Sequence, residues 1–205
     1  MRKEICAFIM ATLLTASGAR AGFTYQPTPP DLRDLDHAYY FAWQIDGQES
    51  PLPEAGEVIG ATLEIFTLYN WSADDTNNKL FINLLRKSDI ESVWTFVSGD
   101  HVYSGGDSKN EVVNNLPGVE IDSYVDGDGP ATKIHYIYQF DDTELQLLKD
   151  SISGDGIVCV GLDPDCHFYN TGIKLSLVPV PAPSALLLGG IGAGMVGWYR
   201  RRKVL

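Results

Sequence analysis

The chain has 205 residues, with 15 Lys and Arg against 27 Asp and Glu, for a net charge of −12. Between two distinctive terminal segments, residues 22–178 keep 8 basic and 26 acidic side chains, a net charge of −18. This balance argues against nucleic acid and anionic membrane surfaces as partners, because phosphate binding needs clustered Lys and Arg. The segment has roughly the size of one domain.

The first 21 residues have the three parts of a secretory signal peptide. Arg2 and Lys3 supply positive charge, an apolar run covers Ile5–Leu14, and Ala19–Ala21 is a small-x-small cleavage site. We therefore predict a signal peptide over residues 1–21 and an exported product. The alternative, an N-terminal membrane anchor, is disfavoured by the short apolar run.

The sequence pattern after the signal peptide predicts mainly β-strands. Runs rich in aromatic and β-branched residues alternate with Gly, Pro, Asn and Asp, which is typical of strands joined by turns. In the run Val58–Asn70 both faces are apolar, which indicates a central strand. The predicted strands are His37–Ile45, Val58–Asn70, Lys79–Arg86, Glu91–Ser98, Val119–Val125, Lys133–Phe140, Gly156–Leu162 and His167–Leu177, with an extended lead-in at Thr24–Pro30 and a short strand at Val112–Val113.

One helix is predicted near the end of this segment. Asp141 is its N-cap, Glu144 is the capping-box partner three residues later, and Gly154 ends it. About eight strands with one short helix predict an all-β domain over residues 22–178, an antiparallel β-sandwich of the jelly-roll type.

Two cysteines remain in the exported product. Cys6 leaves with the signal peptide, whereas Cys159 and Cys166 stay. Export to an oxidising compartment favours a disulfide between them, but the distance between their Cα atoms depends on the strand register. Two buried free thiols are the alternative.

Acidic and amide side chains cluster around Pro164. Asp163, Asp165 and Asn170, with His167 among them, are candidate calcium ligands. Calcium takes six to eight oxygen ligands, and these side chains supply fewer. The alternative, which we favour, is a tight turn in which the carboxylates accept bonds from nearby backbone N–H groups.

No catalytic motif is present, and the four histidines are scattered along the sequence. Aromatic side chains offer a different chemistry, because an aromatic face can stack against a sugar ring. They more often fill a core. The candidates are Trp43, Trp71, Trp94, Tyr39, Tyr69 and Tyr103.

The C-terminal segment has three consecutive parts. Prolines dominate residues 179–184, an uncharged Gly-rich apolar run covers residues 185–199, and residues 200–205 begin with four basic side chains. This order predicts a proline-rich linker, a short transmembrane helix and a cytoplasmic basic tail. The basic cluster consists of Arg200, Arg201, Arg202 and Lys203.

This order resembles the PEP-CTERM sorting signal of Gram-negative and related bacteria. The motif reads Val180, Pro181, Ala182, Pro183 and Ser184, with Ala182 where the family commonly has glutamate. The resemblance implies that a membrane-embedded exosortase processes the chain and that the protein associates with extracellular polysaccharide and biofilm matrix. The alternative is a plain C-terminal membrane anchor.

We therefore expect a non-enzymatic protein of the cell envelope, cell surface or extracellular matrix, with no cofactor unless calcium binds. The segment from Gly161 to Ile173 resembles the closing part of β-rich exported PEP-CTERM proteins, and the predicted fold is similar to carbohydrate-binding sandwiches. Two alternatives stay open. One is a glycan-active hydrolase or lyase, and the other is a self-associating structural surface protein.

Overall fold

The computed structural model describes residues 22–32, 34–71, 77–91, 95–96, 102–105, 118–127, 132–180 and 183–202. Residues Gly22–Pro179 form one compact unit. Every residue of the main hydrophobic core that the structure describes lies inside this unit, between Tyr25 and Leu177. The segment Gly22–Pro179 therefore carries its own hydrophobic core, which is the property expected of a domain that can fold alone. The signal peptide predicted for residues 1–21 lies outside the described residues.

Two antiparallel sheets make up the domain. The first has the order β1-β11-β3-β10, and β8 also pairs with β3. Its strands are β1 (Phe23–Tyr25), β3 (Val58–Asn70), β8 (Ile134–Gln139), β10 (Phe168–Tyr169) and β11 (Gly172–Pro179).

The second sheet has the order β5-β6-β2-β9-β4-β7. Its strands are β2 (Tyr40–Asp46), β4 (Lys79–Leu85), β5 (Thr95–Phe96), β6 (Val102–Gly105), β7 (Val119–Val125) and β9 (Ile157–Pro164). Apolar side chains of both sheets belong to one core, which contains Leu63 and Ile65 of β3 as well as Ile82 of β4 and Val160 of β9. The predicted all-β class is confirmed.

The helices are short. A 3₁₀ helix covers Ala55–Glu57, α1 covers Lys87–Glu91 and α2 covers Asp142–Gly154. The capping box of α2 is present as predicted, because Asp141 Oδ1 accepts from Glu144 N at 2.8 Å and Glu144 Oε2 accepts from Asp141 N at 2.9 Å. Leu145 and Leu148 are its buried side chains.

Strand β3 contains an irregularity that changes which side chains face the core. Thr67 has φ of 53°, in the left-handed region, and the pairing with β8 shifts register between Ile65 and Leu68. From Ala61 to the bulge the buried positions have odd numbers, as at Leu63 and Ile65; after it they have even numbers, as at Leu68 and Asn70. The bulge, and not burial on both faces, explains why the sequence looks apolar on both sides.

Several predicted elements differ from the structure in their bounds or type. The strand predicted from His37 begins at Tyr40, since residues 37–38 form a turn. Glu91 ends helix α1 instead of starting a strand. The lead-in predicted as merely extended contains β1, which pairs with β11. The strand predicted at residues 112–113 lies outside the described residues.

The C-terminal segment contains a separate helix, α3 (Pro183–Arg202). Pro183 stands at its first position, where the missing backbone N–H costs nothing. Within the described residues, no helix is both long and apolar enough to cross a membrane. The transmembrane helix predicted for residues 185–199 corresponds to part of α3, which begins two residues earlier and ends three residues later.

Candidate functional site

Two distant segments of the chain meet beside the end of β3. Leu35 and Phe168 exchange two backbone hydrogen bonds, of 2.9 and 3.0 Å, and both side chains are fully buried. Because side chains alternate along an extended backbone, Asp34 and Asp36 then point away from the core on either side of Leu35. His167, which precedes Phe168, is brought to the same place.

A tight turn returns His37 to the same side. The carboxylate of Asp36 accepts a hydrogen bond from the Ala38 N–H at 2.9 Å, and its carbonyl accepts from the Tyr39 N–H at 2.9 Å. This is the Asx turn that aspartate favours. It places His37 Nδ1 at 3.3 Å from Asp36 Oδ1.

We call Asp34, Asp36, His37 and His167 the Asp–His cluster. His167 lies between the two carboxylates: its Nδ1 is 3.5 Å from Asp34 Oδ2, and its Nε2 is 3.9 Å from Asp36 Oδ1. The rings of His37 and His167 meet edge to face, with centroids 4.9 Å apart. His167 Nδ1 and Asp34 Oδ1 are buried, and neither has a hydrogen-bond partner among the described residues.

Three aromatic side chains next to this cluster form what we call the aromatic surface: Tyr69, Trp71 and Tyr169. β10 pairs antiparallel with the end of β3, so Tyr169 lies opposite Tyr69, and their rings stack with centroids 5.5 Å apart at 22°. Trp71 is 49% exposed and lies 6.5 Å from Tyr169. Trp71 also touches the ring of His167, at 4.9 Å, so the aromatic surface and the Asp–His cluster are continuous.

Charges border the aromatic surface. The ammonium group of Lys133 lies 5.2 Å from the centroid of the Tyr69 ring, a cation–π contact. The negative charge of Asp34 raises the pKa of Tyr169 above its usual value, with smaller contributions from partial burial, from Tyr69 and from a hydrogen bond to Asp34. The phenol of Tyr169 therefore stays protonated and available as a donor to higher pH than an isolated tyrosine.

The candidate calcium ligands have structural roles. Asp165 Oδ1 accepts from the Lys79 N–H at 2.6 Å, and the Asp165 N–H donates to the Lys79 carbonyl at 2.9 Å. Asn170 is buried, and its Oδ1 accepts from the Leu32 N–H at 3.3 Å. Asp163 is 4% exposed. Among the described residues, the group of His, Cys, Asp and Glu side chains that could hold a metal ion does not include Asp163 or Asp165.

Cys159 and Cys166 are free thiols in the structure, the first buried and the second partly buried, so the structure contains no disulfide between them. Cys159 packs with Ala42 and Leu85 in a small second cluster, whereas Cys166 packs against the main core. The five residues of extended strand after Cys159 span about 16 Å, well beyond disulfide reach. Burial raises the pKa of the Cys159 thiol far above its usual value, and the charge of Asp89 adds to this.

The other predicted aromatic candidates differ in their exposure. Trp43 is 2% exposed and belongs to the core, as the alternative interpretation expected. Tyr39 is exposed. The side chains of Trp94 and Tyr103 lie outside the described part of the structure.

The sequence did not predict that the residues of the Asp–His cluster would lie together. His37 and His167 are 130 residues apart, and only the register of Leu35 with Phe168 brings them together. A local signal does exist: in Asp34-Leu35-Asp36-His37 a buried leucine separates two acidic side chains, which indicates an extended segment with one polar face.

Comparisons with known proteins add little. No protein-family model matches the chain, and no curated protein matches it. Latent aurone synthase, a polyphenol oxidase, is similar over 77% of this chain, with 14% identity and a TM-score of 0.40. The same enzyme from its natural source gives 13% identity and 0.39 over 80% of this chain, and latent apple tyrosinase gives 14% and 0.35 over 77%.

This chain spans 28%, 29% and 27% of the lengths of those three proteins. Their likeness to this chain is too slight to carry an argument about its function.

Proposed function

We propose that this chain is an exported, non-enzymatic protein of the cell surface or extracellular matrix, whose β-domain binds glycan through the aromatic surface. The observation that carries the proposal is the half-exposed Trp71 beside the stacked pair of Tyr69 and Tyr169. Exposed indole and phenol rings offer apolar faces to sugar rings, and their polar groups orient the ligand.

The neighbouring groups support the same ligand class. Sugar hydroxyls donate and accept hydrogen bonds, and the carboxylates of Asp34 and Asp36 supply acceptors at the border of the aromatic surface. The domain's acidic charge favours a neutral or cationic glycan, or an anionic one with a bridging cation. Since Trp71 is half exposed, it can meet an extended polymer chain without the domain opening.

The strand order also supports a jelly-roll topology for the domain. With the short β5, β6 and β10 set aside, the sheets run first-last-third-sixth and second-seventh-fourth-fifth among the eight main strands. This is the order expected when the chain folds as two Greek keys. Such sandwiches host many functions, so the glycan proposal depends on the aromatic surface and not on the topology.

The two terminal segments would deliver the β-domain to the cell surface or extracellular matrix. The N-terminal signal would export the chain, and the proline motif, helix α3 and the basic cluster would be sorted and processed by an exosortase-type enzyme. Replacing Arg200, Arg201 and Arg202 with Ala should move the protein to a different cell fraction. Unchanged fractionation would count against sorting by this tail.

Glycan binding is tested by calorimetry of Gly22–Pro179 with the producing cell's own extracellular polysaccharide. We expect Trp71→Ala to weaken binding about tenfold or more, since loss of a central Trp contact costs more than about 1.4 kcal/mol. The control is Ile137→Ala, which removes an exposed apolar side chain of β8. Equal binding by the Trp71 variant and the wild type would overturn the assignment, and release of reducing ends would overturn the non-enzymatic part.

A further inference from the structure

The Asp–His cluster has a chemistry that glycan stacking does not use. Asp36, His37 and His167 each offer one ligand atom, and the three atoms lie within 4.8 Å of one another. We propose that these three residues bind one divalent transition-metal ion of the zinc class, with Asp34 as a positioning residue. The proposal does not depend on the proposed glycan binding.

The spacing is close to what such an ion requires. Zinc bonds to imidazole nitrogen and carboxylate oxygen are about 2.0–2.2 Å, which sets tetrahedral ligand atoms about 3.4 Å apart. His37 Nδ1 and Asp36 Oδ1 are already 3.3 Å apart. His167 Nε2 is 3.9 Å from Asp36 Oδ1, about half an ångström more than that spacing, and all three ligand atoms lie within 4.8 Å of one another.

The ligand types select the metal. Two imidazole nitrogens and a carboxylate suit zinc and other first-row transition ions, whereas calcium takes oxygen ligands. The cluster is therefore a different kind of site from the calcium site considered around Asp163 and Asp165. Three protein ligands also leave a fourth coordination position open.

Asp34 occupies the place that an outer carboxylate takes in histidine-ligated metal sites. Such a histidine binds the ion with one nitrogen and donates the other N–H to a carboxylate or carbonyl. Here Nε2 of His167 faces Asp36, and Nδ1 faces Asp34 Oδ2 at 3.5 Å. The buried His167 Nδ1 and Asp34 Oδ1 both lack hydrogen bonds among the described residues, which is costly unless a ligand fixes the ring.

The fold holds the ligands in place before any ion arrives. The bridge between Leu35 and Phe168 joins the two ligand-bearing segments with two hydrogen bonds and two fully buried side chains. The turn at Asp36 fixes the backbone that carries His37. A site built on fixed backbones loses little conformational entropy on binding.

The test is calorimetric titration of Gly22–Pro179, first stripped with chelator, with zinc chloride and separately with calcium chloride. We expect one zinc ion per chain and no comparable binding of calcium. His167→Ala and His37→Ala should each weaken zinc binding at least tenfold. The matched control is His135→Ala, because His135 also contacts a carboxylate, Glu64 at 3.1 Å, but lies outside the cluster.

The positioning role of Asp34 needs its own measurement. Asp34→Asn should weaken zinc binding by about 10–100-fold, as loss of an outer carboxylate commonly does. With cobalt in place of zinc, the visible absorption bands should shift in this variant, while the unfolding midpoint of the metal-free domain should stay near that of the wild type. A purely structural Asp34 would move the midpoint and leave the cobalt spectrum unchanged.

Three results would overturn the proposal. They are absence of saturable zinc binding, wild-type affinity in a folded His167→Ala variant, and an equal loss in His135→Ala. Equal binding of calcium and zinc would also overturn it, because it would indicate general attraction of cations to the acidic surface. Near-ultraviolet circular dichroism of each variant identifies any that fail to fold, and Asp36→Asn then replaces such a variant.

Discussion

Residues 163–170 and residues 34–37 both combine acidic side chains with a histidine, but the fold uses them differently. In the first segment Asp165 and Asn170 accept bonds from the backbone of distant segments, at Lys79 and Leu32. In the second, Asp36 also accepts from one backbone N–H, that of Ala38, but Asp34 and Asp36 both face His167 across a gap of 3.5–3.9 Å.

This difference separates two uses of polar side chains. A side chain whose bonding capacity is taken up by backbone N–H groups stabilises the fold and has little left for a ligand. A polar group held near others without a completed hydrogen bond keeps that capacity. His167 belongs to the second kind although its sequence neighbours belong to the first.

The largest stability effect should come from residues 163–170. Asn170→Ala removes the buried acceptor of the Leu32 N–H, so we expect the free energy of unfolding to fall by about 1–3 kcal/mol. Urea denaturation of Gly22–Pro179 measures this. Gln139→Ala, at an exposed position of β8, is the control and should change stability by less than about 0.5 kcal/mol. If Asn170→Ala left the free energy of unfolding unchanged, Asn170 would have no structural role.

A smaller loss is expected at the other end of the same segment. Asp165→Ala removes the charge-assisted bond to the Lys79 N–H, for which we expect about 1–2 kcal/mol in the same urea experiment. Asp165→Asn keeps an acceptor oxygen and should recover part of the loss. If calcium stabilised the wild type but not these variants, Asp165 would instead be a calcium ligand.

The Asp–His cluster should contribute less to stability than residues 163–170 do. With chelator present, His37→Gln should change the free energy of unfolding by no more than about 0.5 kcal/mol, because the ring is partly exposed and lies on a turn. The measurement is again urea denaturation. A loss as large as that of Asn170→Ala would mean that the two regions have the same structural role.

The smallest effect concerns the titration of Tyr169. Because the charge of Asp34 is the main cause of its raised pKa, Asp34→Asn should lower that pKa toward the usual value, so that phenolate forms at lower pH. Ultraviolet titration of the variant against wild type measures the change, and Tyr169→Phe identifies the responsible ring. Identical titration curves would contradict the contact between Asp34 and Tyr169.

Local signals in the sequence predicted much of the fold. The bounds of β3 and β7 and the capping box of α2 agree with the structure, because each depends on residues that are close in sequence. Helix α1 was missed because its five residues are too short to show helical periodicity. Helix α3 extends beyond the predicted residues 185–199 at both ends, since proline fits the first position of a helix and arginine is a good helix former.

The site was predictable only in part. Trp71 and Tyr69 were recognised as candidates for sugar stacking, but their exposure depends on the bulge at Thr67, which the sequence does not reveal. The histidines looked scattered because their proximity comes from the pairing of Leu35 with Phe168. Such long-range pairing depends on register, and register follows from packing of the whole domain.

The bulge in β3 determines which side chains at the end of the strand face outward, whatever their chemistry. If β3 kept regular alternation through Thr67 at the same length, Tyr69 and Trp71 would turn toward the core while Leu68 and Asn70 turned toward solvent. No side chain of the surface would have been replaced, yet the surface would be gone. During divergence of such domains, the gain or loss of one bulge is therefore enough to create or abolish a binding face.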